Sequence, residues 1–310
     1  AQVSAEKDRL AVARVRAPKL IAPAKTLRRW DLTGKDPAGA TQIASAEEVF
    51  TKAIANDPDE MAGYRGRAYF RGSVNDGKGA LADFAKAIEL EPDASLYLAR
   101  ANIHEEQGDL AAALADADAA RQLDPASVPA TVKVAALRAE KGDMASAIDL
   151  LDTRIELGGE TRQSYNEAKA DLLGRFGKSA DALKFVETMI ADKPGTPALL
   201  NLRCWIKGTR QVEVESAAKD CTTALELSNN PYAILDSRAL VSYRLGRYED
   251  AIRDLDAVLN AVPNMGGSRF MGGVVLARMD RKSESAAELE VARRLKPRID
   301  EDYARFGIKP

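Results

Sequence analysis

The 310-residue sequence is poor in the groups on which most chemistry depends: it has one histidine, two cysteines and few aromatics (7 Phe, 2 Trp and 8 Tyr, 5% of the chain). With His104 the only imidazole, any Ser–His or Cys–His nucleophile must be built through that one residue. A zinc site rich in His and Cys is equally hard to assemble from His104, Cys204 and Cys221. No apolar run approaches the ~18 residues of a membrane span. Two cysteines are too few for a disulfide scaffold. A formal charge of −2 supplies no global attraction to nucleic acid. The expectation is a chain that is not an enzyme and carries no cofactor, no metal site and no transmembrane segment.

What is present is helix material. Hydrophobic residues make up 45% of the chain and are mostly Ala and Leu, strong helix formers and poor strand formers. Length alone suggests about two globular domains. An Ala-rich, charged, aromatic-poor composition points instead to helix pairs stacked in series, because small side chains let helices approach closely.

The chain opens AQVSAEKD, without an initiator Met. Such a start fits either cleavage behind a small-residue signal-peptidase site or the edge of a domain from a longer protein. Residues 1–29 hold eight Lys and Arg against two acidic residues and contain Pro18 and Pro23, so they read as a basic N-terminal arm. An arm of this kind serves anionic lipid or nucleic acid, or lies on the acidic remainder of its own protein; charge complementarity favours the second.

From Trp30 the sequence is periodic. Prolines that close a helix fall at Pro58, Pro92, Pro125, Pro194, Pro263 and Pro297, separated by 34, 33, 69, 69 and 34 residues. Twelve residues before them stand Ala46, Ala80, Ala113, Ala182 and Ala251, with Ser285 the exception. The blocks YRGRAYFRGSVNDGKGALADFAKAIELEP, LYLARANIHEEQGDLAAALADADAARQLDP and AILDSRALVSYRLGRYEDAIRDLDAVLNAVP each place a small residue (Ala68, Ala101, Ala239) opposite an Ala twelve residues later. Gly108 and Gly246 sit in the turn between the helices, as do Gly77 and Gly79 in the first block. This pattern resembles the tetratricopeptide repeat (TPR).

The resemblance covers residues 30–297 and implies an all-α, right-handed α-solenoid of about eight helix pairs, with units near 30–60, 61–93, 94–127, 128–162, 163–196, 197–230, 231–265 and 266–297. The first unit is irregular, because Pro37 interrupts its first helix. Residues 298–310, containing EDYARFGI, form a polar-faced terminal helix capping the last unit, and a tail.

Within the repeat an internal control appears. The seventh position is Arg67, Arg100, Arg203 or Arg238 in four units, and those units carry Asp83, Asp116, Asp220 and Asp254 in the second helix. Units with Thr33, Val134 or Lys169 instead have Val49, Leu150 or Phe185, and the last unit is mixed, with Gly272 and Glu288. Appearance and loss in pairs implies a partly buried Arg–Asp bridge, since either charge alone would be uncompensated.

Three other signals are weaker. GSVNDGKG (72–79) imitates a phosphate-binding loop but lacks its Ser or Thr and falls inside a helical repeat. His104 takes a position that is usually a packed residue, and HEE lacks the second His of a zinc protease motif. Cys204 and Cys221 occupy facing positions of one helix pair: in an exported protein they form a disulfide, and in the cytosol two buried thiols.

In TPR arrays residues two, five, nine and twelve of each unit line a concave groove. Carried onto this chain, the candidates for binding a peptide or partner are Arg65, Tyr69, Asn102, Glu105, Asn201, Trp205, Asp236, Tyr243 and Phe270. Aromatics beside Asn and Asp suit an extended peptide or a partner's helix. The two-Lys, two-Asn carboxylate clamp of chaperone-binding TPR domains is absent, since Asn102 alone matches it. The expected function is a non-enzymatic scaffold that binds a partner protein in its groove. A second resemblance, carried by LNLRCWIKGTRQVEVESAAKDCTTALEL and the blocks after it, is to the TPR tail of exported bacterial proteins with a transglutaminase-like domain. It implies a periplasmic or otherwise exported location, a cytoplasmic one being the alternative, with the catalytic domain outside this chain.

Overall fold

A computed structural model describes residues 37–310. The expected arm, 1–29, and residues 30–36 lie outside the described residues. Among the described residues the secondary structure is entirely helical, and it divides into two compact groups, one ending at Pro92 and the other running from Asp93 to Pro310.

The first group holds α1 (Pro37–Asn56), α2 (Met61–Ser73) and α3 (Gly77–Leu90). α1 is described from Pro37 onward, and the expected interruption of a helix before Pro37 lies outside the described residues. The described part of the irregular first unit is one long helix. Phe50 of α1 meets Phe70 of α2 with ring centroids 5.6 Å apart, and Phe84 of α3 meets Tyr69 edge-on at 5.2 Å. Arg71 joins the three helices, donating to Glu47 of α1 and to Asp83 of α3.

The second group holds six helix pairs: α4 (Ala94–Glu106) with α5 (Leu110–Leu123), α6 (Val128–Glu140) with α7 (Met144–Leu157), α8 (Arg162–Phe176) with α9 (Ser179–Asp192), α10 (Pro197–Arg210) with α11 (Val214–Leu227), α12 (Tyr232–Arg244) with α13 (Tyr248–Ala261), and α14 (Gly266–Arg278) with α15 (Lys282–Leu295). Each second helix packs on the next first helix, and successive first helices touch one another, so the first helices share one face. A six-residue helix, α16 (Ile299–Ala304), packs on α14 and α15 as a cap. This is an α-solenoid.

The repeat positions explain the geometry. The crossing residues Ala101 and Ala113, Ala135 and Ala147, Ala170 and Ala182, and Ala239 and Ala251 are fully buried, so backbone approaches backbone with little side chain between. Asp76, Asp93, Asp109, Ser127 and Asp143 cap the N-termini of α3 to α7, each accepting from a backbone N–H of the first turn. In most pairs the turn between the helices needs one residue with positive φ. Gly108, Gly142 and Gly246 supply it, while Asn75 (φ 66°) and Asp280 (φ 59°) occupy the same place elsewhere. The expectation for Gly77 and Gly79 is thus corrected: both lie in the first turn of α3, and Asn75 makes the turn.

Candidate protein-binding face

The repeated ion pairs are built by the spacing. Residues 16 or 17 apart stand on opposite helices of a pair, and each arginine donates through Nε and Nη2 to both oxygens of its aspartate. The distances are 2.8 and 2.7 Å for Arg67–Asp83, 2.7 and 2.6 Å for Arg100–Asp116, 2.9 and 2.5 Å for Arg203–Asp220, and 2.7 and 2.7 Å for Arg238–Asp254. All four aspartates are buried, and the hydrogen bond to Asp, acting against burial, raises each arginine's pKa. Each pair thus ties the two helices of its unit together. Where the arginine is missing, Lys169 reaches Asp152 at 2.5 Å and lies over the Phe185 ring, and Glu288 takes Arg269 at 2.8 Å. His104 sits beside the second pair, with Nε2 3.9 Å from Asp116.

Cys204 of α10 and Cys221 of α11 are joined by a disulfide, with Cα atoms 5.6 Å apart. Both are fully buried. The one extra residue between them lengthens α10, which has 14 residues against 13 in α4, and the turn that follows holds Gln211 and Glu213 at φ 54° and 48°. Beside it Lys207 is buried and pairs with Asp220 at 3.3 Å and Glu213 at 3.0 Å.

The expected groove residues fall into different environments. Arg65 and Tyr69 belong to the first compact group and are exposed. In the second group Asn102 is exposed, and Glu105 pairs with Lys133 at 2.7 Å. Both border a polar cleft of about 350 Å³ lined also by Glu106, Glu140, Arg175 and Arg298. Burial raises the pKa of Glu106 there. Asn201 is half-buried, and its Oδ1 has no hydrogen-bond partner among the described residues. Asp236 accepts from Ser268 at 2.5 Å.

The three aromatics expected to form an open binding surface do not form one. Phe270 is fully buried and stacked at 4.7 Å on Tyr303. Trp205 stands edge-on to Phe306 at 6.1 Å, and Tyr243 packs on Tyr248 at the same spacing. Two of the three are therefore covered by the chain's own C-terminal segment.

That segment is the expected C-terminal cap: Ile299, Tyr303 and Ile308 are buried in the same apolar cluster as Leu240 and Phe270, while Glu301 is exposed. Its charged residues reach much farther back. Arg298 donates to Glu140 at 3.0 Å and to the Glu105 carbonyl at 3.3 Å. Arg305 lies over the Phe176 ring and 3.6 Å from Glu140. Arg210 lies over Phe306, whose carbonyl accepts from Arg244 at 2.6 Å, and the Lys309 carbonyl accepts from Arg278. The segment thus runs past the C-terminal ends of α4, α6, α8, α10, α12 and α14.

Of these contact residues Glu105, Trp205 and Phe270 stand at expected groove positions, whereas Glu140, Phe176, Arg210, Arg244 and Arg278 sit at positions thirteen and fourteen, just beyond them. The available signal was the recurrence of Arg in the last turn of successive first helices, at Arg175, Arg210, Arg244 and Arg278. A cation there also faces the carbonyls that end a helix: Arg210 donates to Gly174 and Gly177, and Arg244 to Gly208.

The family model described as tetratricopeptide repeat matches residues 73–128 and 237–298. Among solved structures, a tetratricopeptide repeat protein from Parabacteroides merdae aligns with a TM-score of 0.51 at 14% identity, covering 80% of this chain and 98% of that one. Yeast Tom70 aligns with a TM-score of 0.60 at 16% identity, over 99% of this chain and 72% of that one. Both likenesses establish the fold. No curated protein sequence matches this one.

Proposed function

We propose that this chain is a non-enzymatic interaction scaffold that recognises a peptide or a partner protein along the shared face of its first helices. The observation that carries this reading is that residues 93–295 already hold a peptide segment on that face, their own C-terminus, by ring contacts and by arginines bonded to its main-chain carbonyls. Carbonyl recognition is independent of side-chain identity, and the aromatic contacts add selectivity. The cleft beside Asn102, Glu105 and Lys133 offers further polar groups on the same face.

The Cys204–Cys221 bond supports an oxidising location, periplasmic or otherwise exported, because such bonds do not persist in a reducing cytosol. The bond lies within the block that resembles the TPR tail of exported transglutaminase-like proteins. It therefore also favours the finer reading of a scaffold region whose catalytic partner domain lies outside this chain.

The test is an array of immobilised 15-residue peptides probed with the full chain and with the Trp205→Ala, Tyr243→Ala double variant. A set of peptides bound by the wild type and lost by the variant supports the reading. Binding that the variant leaves undiminished removes the inner face from it. Hydrolysis or acyl transfer by the purified protein, abolished at His104 or Cys204, overturns the non-enzymatic assignment.

A further inference from the structure

The C-terminal segment is arranged like a bound peptide. Its main-chain hydrogen bonds close on themselves: Asp302 donates to Arg298, Phe306 and Ile308 to Tyr303, and Gly307 (φ 67°) to Ala304. This is a short helix stopped by a left-handed glycine. Its ties to the helix pairs run through side chains, either its own or the arginines that grip its carbonyls. A six-residue helix has too few turns to persist without such a surface. Glu140 is nearly covered, and both of its ion pairs are with arginines of the segment. The face is thus complementary to this segment in three ways: an acid for its arginines, rings for Tyr303 and Phe306, and donors for its carbonyls.

We propose that residues 298–310 are a displaceable ligand held in cis, and that the face accepts in their place a partner segment of the same chemistry. That segment is a single helical turn or two carrying arginine, then Tyr-x-Arg-Phe-Gly-Ile or its equivalent. The tail then acts as an internal competitor, and a partner binds only as tightly as it exceeds the tail. This inference rests on the scaffold reading and names the ligand chemistry of its inner face.

The test uses the full chain and a fluorescently labelled synthetic peptide of residues 297–310, PRIDEDYARFGIKP. Wild-type protein, its face occupied, binds the peptide weakly. The Tyr303→Ala, Phe306→Ala double variant, whose own tail is weakened, binds it at least tenfold more tightly by anisotropy. Adding Glu140→Lys to that variant, or replacing both peptide arginines with Glu, removes at least tenfold of the binding. A variant with wild-type helical circular dichroism that binds no better than wild type overturns the proposal.

Should the double variant lose its helical signal, hydrogen exchange on the wild-type chain decides instead. Amides of 302–308 exchanging at least a hundredfold faster than the hydrogen-bonded amides of α12 and α14 support a tail that opens separately; exchange in step with those helices overturns it. A tail that proves fixed while the array peptides still bind overturns this proposal alone. A wild-type chain that binds no array peptide although its tail exchanges separately overturns the general scaffold reading instead.

Discussion

The Ser285 hydroxyl donates a 2.7 Å hydrogen bond to the carbonyl of Gly273 across the crossing of α14 and α15. Every other pair of the second group crosses Ala against Ala or, at α10 and α11, Cys204 against Ala217. Here the larger serine is accommodated by removing the side chain opposite. A Cβ on Gly273 would stand 2.6 Å from Leu289 Cγ and 3.2 Å from the Ser285 carbonyl, whereas one on the adjacent Gly272 would meet nothing within 4 Å.

The two glycines therefore respond oppositely to alanine. Helix propensity alone favours either substitution by up to ~1 kcal/mol. At Gly272 that gain is realised. At Gly273 the displaced Leu289 and the widened crossing outweigh it, for a net loss of about 1–2 kcal/mol. Urea unfolding of the two single variants checks the contrast, and equal effects contradict it.

The Arg–Asp pairs predict a different asymmetry. Asp116→Ala leaves the Arg100 guanidinium, which is mostly covered, without its carboxylate and costs ~3 kcal/mol, at the low end for a buried pair because some solvent still reaches the arginine. Replacing both residues with apolar ones, Arg100→Met with Asp116→Leu, returns the stability to within ~1 kcal/mol of wild type. The measurement is a double-mutant cycle by chemical denaturation. A double variant as unstable as the sum of the single ones contradicts it.

How far the sequence reveals this molecule depends on range. Repeat spacing, crossing residues and Arg–Asp pairs are legible because each is set by contacts within one helix pair, where position in the unit determines position in space. The turn of α2 and α3 is misread because Asn75 substitutes for glycine at the positive-φ place, a role open to either residue. Lys207 is missed because its partner Asp220 is already assigned to Arg203. The covering of Phe270 and Trp205 is illegible for a deeper reason. Nothing in the periodicity says that residues after Pro297 turn back along the first helices, with Arg298 reaching Glu140 across 158 residues of sequence.

The disulfide closes a short loop, with the cysteines 17 residues apart. By the chain-entropy account such a loop is worth ~3 kcal/mol. Reduction, or the Cys204→Ala, Cys221→Ala double variant, is expected to lower stability by about that amount and to leave the helical content intact. A thiol count on the denatured, unreduced protein gives zero. Two free thiols would contradict the bond and weaken the exported reading with it.

Asp236 sets the last expectation, a pH dependence. Burial raises its pKa above the usual aspartate value, opposed by the hydrogen bond from Ser268 and the charge of Lys296. The same carboxylate helps burial hold the Tyr303 phenol well above its ordinary pKa. A folded-state pKa above the unfolded one contributes stability that is complete below the unfolded value, near 3.8, and is lost as pH rises through the raised folded value. In Asp236→Asn that loss is absent, while the amide oxygen still accepts from Ser268. The variant therefore gains on wild type as pH rises from about 4.5 to 7.5, and the difference in thermal midpoint moves in its favour over that range. Melting curves of both proteins at the two pH values check this. A difference that stays constant, or moves against the variant toward neutral pH, would mean that Asp236 is not held out of its charged form by burial.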